Sequence, residues 1–349
     1  MSHYVEIATK PLLKIAFPEQ TTFFSTYHRF EAHNPAAGSY SITASSLPAL
    51  WRSLKRSDLQ LVLCEPSMFA PWSAGWFVRA VFDRRLLSGH CPLLRAWGPQ
   101  ILRLIRSAPL AVVDHDDFPL VNRNNLWLLR RACVYLKREL PVDHWRLFMK
   151  TAHSNLPSIR FRKLPGFAEM LEKIRPISLG LPTSHAEQQS IVESPKEVDI
   201  FFAGQLEHSS TIRQSGAIEL RSLSDQGISV DMPDRRVSPD EFRQRMSRAW
   251  LTWSPEGLGW DCFRHYEALN CGSVPVINSP TIKRYQPLRE GLHAFFYHAE
   301  SGNLGNCVRG AISNKAKLQQ MSMAGRAHVL QHHTQAALAH YIVNETLAR

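Results

Sequence analysis

The sequence predicts an α/β protein of two parallel-sheet domains, and three observations carry that expectation. Runs such as Leu59–Cys64 are apolar almost throughout, as buried parallel strands should be, and they alternate with segments of helical period. A polar stretch with no apolar period, Thr183–Lys196, divides the chain as a linker would. Beyond it, Ala249–Ile277 parses as strand, glycine loop, helix and strand, one βαβ unit. The 349 residues leave room for two domains of ordinary size.

In the first half, Pro11–Phe17 is expected as the opening strand and Leu59–Cys64 as a central one. Residues 33–46 are small and polar, a loop, and Leu47–Lys55 suits a helix. Phe69, Trp72, Trp76 and Phe77 follow Glu65, and such aromatic density packs a core or a domain seam more often than it lines a binding platform. Leu93–Ser107 has helical period, with Leu94, Trp97, Ile101, Leu104 and Ile105 on the apolar side and Arg95, Arg103 and Arg106 off it. Ala111–Val113 reads as a strand ending in Asp114, His115, Asp116 and Asp117. Carboxylates and a histidine at the carboxyl end of a strand sit where α/β folds place chemistry. They suit acid/base work, and equally a polar strand end whose aspartate caps the next helix. Leu126–Leu140 alternates like a strand leaving for the domain boundary, with Arg130, Arg131, Lys137 and Arg138 as a solvated face. Ser158–Lys163 suits an edge strand, residues 167–174 a helix, and Ile177–Pro182 a last strand.

In the second half, Val198–Ala203 opens a new sheet and residues 204–213 form a loop feeding a helix. Ile228–Asp231 is a short strand. Ser238, Pro239 and Glu241 spell a serine cap, a first-turn proline and a capping-box glutamate for a helix reaching about Trp250. In Ser254–Trp260, Gly257 and Gly259 allow backbone conformations that a β-carbon forbids. Asp261 is placed to cap a helix through Phe263, Tyr266, Ala268 and Leu269, and Gly272 to end it. Val274–Ile277, a turn at 278–281 and Phe295–Tyr297 complete the sheet, and Met321–Leu347 is a long helical region. His328 and His332 lie four apart there, but no third ligand accompanies them, so no metal is expected.

A glycine loop entering a helix offers backbone N–H groups and the positive end of the helix dipole to an anion. Arg264 adds a fork of donors in the first turn, suited to phosphate oxygens. Glu267 lies three residues on, nearly on the same face, where it can accept from sugar hydroxyls. Ser254-Pro-x-Gly-x-Gly, then Arg264-x-x-Glu267-Ala-Leu, then Gly272-Ser-Val-Pro-Val-Ile277 resembles the donor segment of exostosin-like and ribitol-xylosyltransferase-like glycosyltransferases. The similarity covers Val198 to Tyr297.

The resemblance implies a GT-B fold: two Rossmann-like domains facing a cleft, with C-terminal helices crossing back to the first. Residues 1–182 would bind the acceptor, 183–325 the nucleotide sugar, and 326–349 would brace the first domain. The implied donor is a nucleotide-diphosphate sugar, a UDP-sugar, held by Gly204, Arg213, Ser254, Gly257, Gly259, Arg264 and Glu267. The acceptor would be a glycan or glycolipid, with no metal and no other cofactor. Asp114 and Asp116 form an Asp-x-Asp of the kind that grips metal in GT-A enzymes, but without the context of that fold. Inversion would need a base from Asp114, His115, Asp116 or Glu65, and the sequence does not choose among them. Retaining GT-B enzymes also use a carboxylate of the second domain, so stereochemistry stays open. The alternative is a non-catalytic glycan- or nucleotide-binding protein on the same scaffold.

Composition sets the outer bounds. A net charge of +11 suits phosphorylated substrates, anionic lipid or nucleic acid. No zinc-finger, RNP-type or homeodomain pattern accompanies it, so nucleic acid is not an expected partner. The six cysteines are scattered without a CxxC pair, which suits a reducing compartment. No segment reaches the ~20 apolar residues of a membrane span. Glu6, Lys10 and Lys14 interrupt any signal-peptide pattern. The expected location is cytoplasmic, with peripheral contact to the inner face of an anionic membrane open.

Overall fold

The computed structural model describes residues 2–27, 34–67, 98–106, 108–149, 166–182, 194–206 and 210–348. They divide into two α/β units: Met1–Ile177 with Leu338–Arg349, and Ser178–Ala337. The aromatic stretch at Phe69–Phe77, the start of the Leu93–Ser107 helix, the Ser158–Lys163 strand and most of the Thr183–Lys196 linker lie outside the described residues.

Unit 1 carries seven strands: β1 His3–Ala8, β2 Thr21–Ser25, β3 Ser39–Ser41, β4 Leu59–Cys64, β5 Leu110–Asp114, β6 Val134–Lys137 and β7 Ile174–Pro176. Their order is β3-β2-β1-β4-β5-β6-β7, and every neighbouring pair is parallel. Helices α1 Leu13–Ala16, α2 Leu47–Leu54, α3 Leu126–Arg131 and α4 Phe167–Glu172 lie between them. The β1 strand is buried along its whole length, as a central parallel strand must be. Because the strands are parallel, Ala8, Cys64, Asp114 and Lys137 all end at one edge of the sheet.

Four expectations fail in this half, the first being the loop at 33–46, where Ser39–Ser41 pair in parallel with Phe23–Ser25 as the edge strand β3. Pro11–Phe17 is not the opening strand: β1 precedes it, and residues 13–16 form a single helical turn. The Glu6 carboxylate fixes that turn by accepting from Leu12 N at 2.6 Å and Lys14 N at 3.0 Å. Leu126–Leu140 is not one strand but α3 followed by β6: Leu128 and Leu129, adjacent in sequence, are both buried in the same core, where a strand would turn successive side chains to opposite faces. Ile177–Pro182 is no strand either: β7 ends at Pro176, and Leu181 then makes only an isolated bridge to Thr334. Within Leu93–Ser107, the described residues Gly98–Arg103 form a 3-10 helix.

Unit 2 holds β8 Val198–Phe201, β9 Val230–Asp231, β10 Ala249–Trp253, β11 Val274–Asn278 and β12 Phe295–Tyr297. The order β12-β11-β10-β8-β9 is again wholly parallel. Its helices are α5 Thr211–Ser224, α6 Pro239–Ser247, α7 Phe263–Asn270, α8 Asn303–Ile312 and α9 Lys315–His332. Ser238 Oγ accepts from Glu241 N at 3.2 Å, which starts α6. Gly272 closes α7 with φ of 74°, a conformation that favours glycine. The core centres on Trp253, fully buried, with its indole N–H donating to Tyr297 Oη at 2.9 Å.

The sheet alternation of both units comes from the same source, short apolar strands separated by helices that cover both faces. The unit boundary falls at Ile177/Ser178, where the sequence suggested 182/183. The C-terminal region is two helices rather than one, α9 and then α10 Gln335–Leu347. Residues 326–337 stay with unit 2, since Val329 packs with Leu269 and Ile277, and Gly325 lets Leu269 close on α9. From Leu338 the chain belongs to unit 1, where Tyr341 Oη donates to Pro176 O at 3.2 Å. Among the described residues no helix is long and apolar enough to cross a membrane.

Candidate functional site

In unit 2 the carboxyl ends of β8 and β10 bring two arginines together. Arg213 sits in the first turn of α5 and Arg264 in the first turn of α7. Arg264 Nη2 donates to Ala203 O at 2.9 Å, and its plane lies 5.0 Å from the Phe202 ring. Its Nε and Nη1 are buried without a hydrogen-bond partner among the described residues. Burial, then the Arg213 charge, pulls the Arg264 guanidinium down to about 10. Such a group is costly unless an anion completes it.

The glycines explain how the arginines fit. A β-carbon at Gly204 would stand 2.7 Å from Arg264 Nη2, and one at Gly257 would stand 2.9 Å from Arg213 Nη2. Neither Gly257 nor Gly259 takes a left-handed backbone, contrary to the sequence expectation. What Gly257 supplies is space for a guanidinium. Gly259 contributes its carbonyl, which accepts from Gly257 N at 3.0 Å and tightens the loop.

The loop is clamped from three sides. Ser254 is fully buried and bonds His265 Nδ1 at 2.7 Å, while His265 Nε2 bonds Trp260 O at 2.9 Å. A carbonyl only accepts, so Nε2 carries the proton and Ser254 donates to Nδ1. Ser254 therefore braces the loop from within and does not face a ligand. Asn278 holds Glu256 by its backbone N at 2.8 Å and its carboxylate at 3.0 Å. Glu256 O in turn accepts from Arg213 Nε at 2.8 Å and Ser210 Oγ at 3.2 Å. Glu256, Asn278 and His265 went unnoticed in the sequence, where an asparagine ending an apolar strand was the one visible signal.

Asp261 does not cap α7. Cys262 stands at the cap position and no side chain caps the helix start. The Asp261 carboxylate is drawn inward instead, accepting from Leu179 N at 2.7 Å and Tyr266 Oη at 2.6 Å. No side chain among the described residues thus takes up the first-turn N–H groups of α7 as a cap. Glu267 lies one turn along, near enough for its charge to act on Arg264.

Unit 1 gathers the four candidate bases at the carboxyl edge of its sheet. Asp114 is buried and fully engaged: Tyr135 Oη donates to it at 2.6 Å, Asp116 N at 3.0 Å, and Lys137 Nζ pairs with it at 3.2 Å. Glu65 accepts from both Thr9 N and Thr9 Oγ1 at 2.5 Å, and burial raises its carboxyl. His115 is pushed down to about 4 by burial and the Arg138 charge, and its Nε2 is buried without a partner among the described residues. Asp116 is raised to about 6, by burial first and then by Asp114. A carboxyl held at about 6 can lose and regain a proton near neutrality. Tyr135 and Lys137, which occupy the Asp114 carboxylate, were hidden in a strand that reads as ordinary core. The histidines of the C-terminal region turn to a backbone carbonyl: His328 Nε2 and His333 Nε2 both bond Gln286 O at 2.9 Å. Among the described residues no group of histidine, cysteine and carboxylate side chains could hold a metal.

Residues 212–285 match the model of the RXYLT1 C-terminal domain. No curated protein matches the chain in sequence. Among solved structures, HepE from Anabaena in complex with UDP has a TM-score of 0.53 at 14% identity, covering 100% of both chains. A glycosyltransferase from Rickettsia africae has a TM-score of 0.57 at 7% identity, covering 98% of this chain and 97% of its own. A UDP-forming trehalose-phosphate synthase from Burkholderia xenovorans reaches 0.54 at 10% identity, covering 100% of both. At such identities these likenesses establish the fold, and the fold is GT-B.

Proposed function

We propose that the chain is a glycosyltransferase that moves a sugar from a UDP-sugar to a glycan or glycolipid acceptor, with inversion and without a metal. The observation that carries this reading is the Arg213–Arg264 pair, with two buried donors of Arg264 unpaired at an uncapped helix start. Two guanidiniums and a helix dipole supply the charge that a departing diphosphate needs. The UDP complex of HepE favours uridine as the nucleoside. Glu267 accepts from hydroxyls of the donor, and Gly204 and Gly257 keep both arginines within reach of the phosphates.

In the transfer step an acceptor oxygen forms a bond to the anomeric carbon as the bond to the diphosphate oxygen breaks. UDP leaves with that electron pair, and Asp116 takes the acceptor proton. No metal is required, because the arginines neutralise the leaving group.

The test is UDP calorimetry on wild-type protein and on Arg264→Ala. Affinity should fall by ~1.5–3 kcal/mol, the worth of charge-assisted hydrogen bonds. Equal affinity in a folded variant would remove Arg264 from the site and sink the reading. Turnover of the UDP-sugar should also survive EDTA. Loss on chelation, restored by manganese, would overturn metal independence and return Asp114 and Asp116 to consideration as ligands. Tight UDP binding with no transfer or hydrolysis would instead support a non-catalytic nucleotide-binding protein.

A further inference from the structure

A second basic site lies in unit 1, at the edge of the sheet away from the acid cluster. Leu110 begins β5 and Cys133 immediately precedes β6, so this is the amino edge of strands whose carboxyl ends carry Asp114 and Lys137. Leu110 and Asp114 are the two ends of the five-residue β5, roughly 13 Å of chain apart. A hollow of about 630 Å³ opens there, lined by Arg103, Arg106, Trp127, Arg130, Arg131 and Cys133 among others. Among the described residues four arginines line it, and none that lines it is a carboxylate.

Two donors in this hollow are buried without a partner among the described residues: Arg131 Nη1 and Trp127 Nε1. The rest of the arrangement holds them still. Arg131 Nη2 donates to Ile105 O at 2.5 Å, Arg103 Nε to Gln100 Oε1 at 2.7 Å, and the Arg103 guanidinium lies 4.1 Å from the Trp127 ring centre. Burial and the neighbouring Arg106 charge both lower the Arg131 guanidinium. Like charges gathered around unpaired buried donors are unfavourable by themselves, and an anion rich in acceptor oxygens removes both costs at once. Arginine forks match phosphate oxygens in pairs, and four of them exceed what one carboxylate can neutralise.

We propose that this hollow is a binding site for a phosphate or diphosphate group, separate from the donor site of unit 2. The group belongs either to a small phosphorylated molecule or to the headgroup of an anionic lipid; the recognising chemistry is the same. Leu104, 77% exposed between Arg103 and Arg106, would meet the apolar part of such a lipid. The proposal stands whether or not the chain binds UDP.

The experiment compares wild-type protein, Arg106→Gln/Arg130→Gln and Arg264→Ala. Arg106 and Arg130 are exposed, so their replacement leaves the fold in place, which a matching unfolding midpoint verifies. Inorganic pyrophosphate is titrated by calorimetry, and co-sedimentation is measured with phosphatidylcholine vesicles with and without phosphatidylglycerol. The expected result is a pyrophosphate site kept in Arg264→Ala and weakened at least about tenfold in Arg106→Gln/Arg130→Gln. Pyrophosphate binding without sedimentation assigns the site to a small phosphorylated ligand. Sedimentation that needs phosphatidylglycerol, is lost in Arg106→Gln/Arg130→Gln and is competed by pyrophosphate assigns it to a headgroup. Identical titration and sedimentation of wild type and Arg106→Gln/Arg130→Gln would overturn the proposal.

Discussion

Arg264 brings a fork of donors into a place where the described chain offers one acceptor, the Ala203 carbonyl. Asp116 is its counterpart in unit 1, a carboxyl raised to about 6 because burial and Asp114 both oppose its charge. These two groups differ in what the sequence disclosed. Arg264 stood out by its spacing after the glycine loop, whereas Asp116 was one of four acidic or basic neighbours with nothing to rank them. Ranking came from partners: Tyr135 and Lys137 occupy Asp114, Thr9 occupies Glu65, and burial disarms His115. If Asp116 is the base, it must be ionised to work, so kcat/KM should fall about tenfold per pH unit below about 6. Asp116→Asn should abolish turnover while UDP affinity stays as in wild type. A profile flat from neutrality down through pH 5 would assign the proton to another group.

At the scale of elements, α5 shows why a glycine can matter inside a helix. A β-carbon at Gly216 would stand 2.2 Å from Trp253 Cζ2 and 2.6 Å from Cη2. The ring has no room to retreat, being fully buried and tied to Tyr297. Alanine gains up to ~1 kcal/mol of helix propensity over glycine, but overpacking a core costs ~1–3 kcal/mol or more. Gly216→Ala should therefore lower stability, read as a lower denaturant midpoint for unit 2. A raised midpoint would mean that α5 can shift away from β10. The strands β4, β5, β8, β10, β11 and β12 and the cap of α6 were legible, because apolar runs and capping residues act locally. The turn after β1 was not legible, since Glu6 had to be known to point back at Leu12 and Lys14.

At the scale of the whole molecule, the histidines of unit 2 set its response to acid. His333 is 1% exposed, with Ser178 on Nδ1 and Gln286 O on Nε2, and it stacks 4.6 Å from the Tyr266 ring. His328, His332, His293 and Tyr285 surround it. Burial first, and then its histidine neighbours, hold His333 down at about 3. The unfolded chain accepts the proton near 6.5, so unfolding gains as pH falls below that value and stops gaining near 3. At pH 5 the loss from this one ring is about 2 kcal/mol. His333→Gln should flatten the fall in thermal midpoint between pH 6.5 and 5; an unchanged slope would clear His333 of that role. Sequence alone determined the two parallel sheets, the order of strands and helices from β8 to β12, and the glycine–arginine–glutamate run, because apolar period and local spacing act within a few residues of chain; the helix α8 after β12 carried no such signal. Only the tertiary structure decided that Ser254 and Asp261 turn inward, that Glu256 and Asn278 hold the loop, and that α9 and α10 divide between the units. It likewise gathered Arg103 and Arg106 with Arg130 and Arg131 around one hollow. Each of these rests on partners distant in sequence, and burial and charge depend on which groups the fold brings together rather than on which stand side by side.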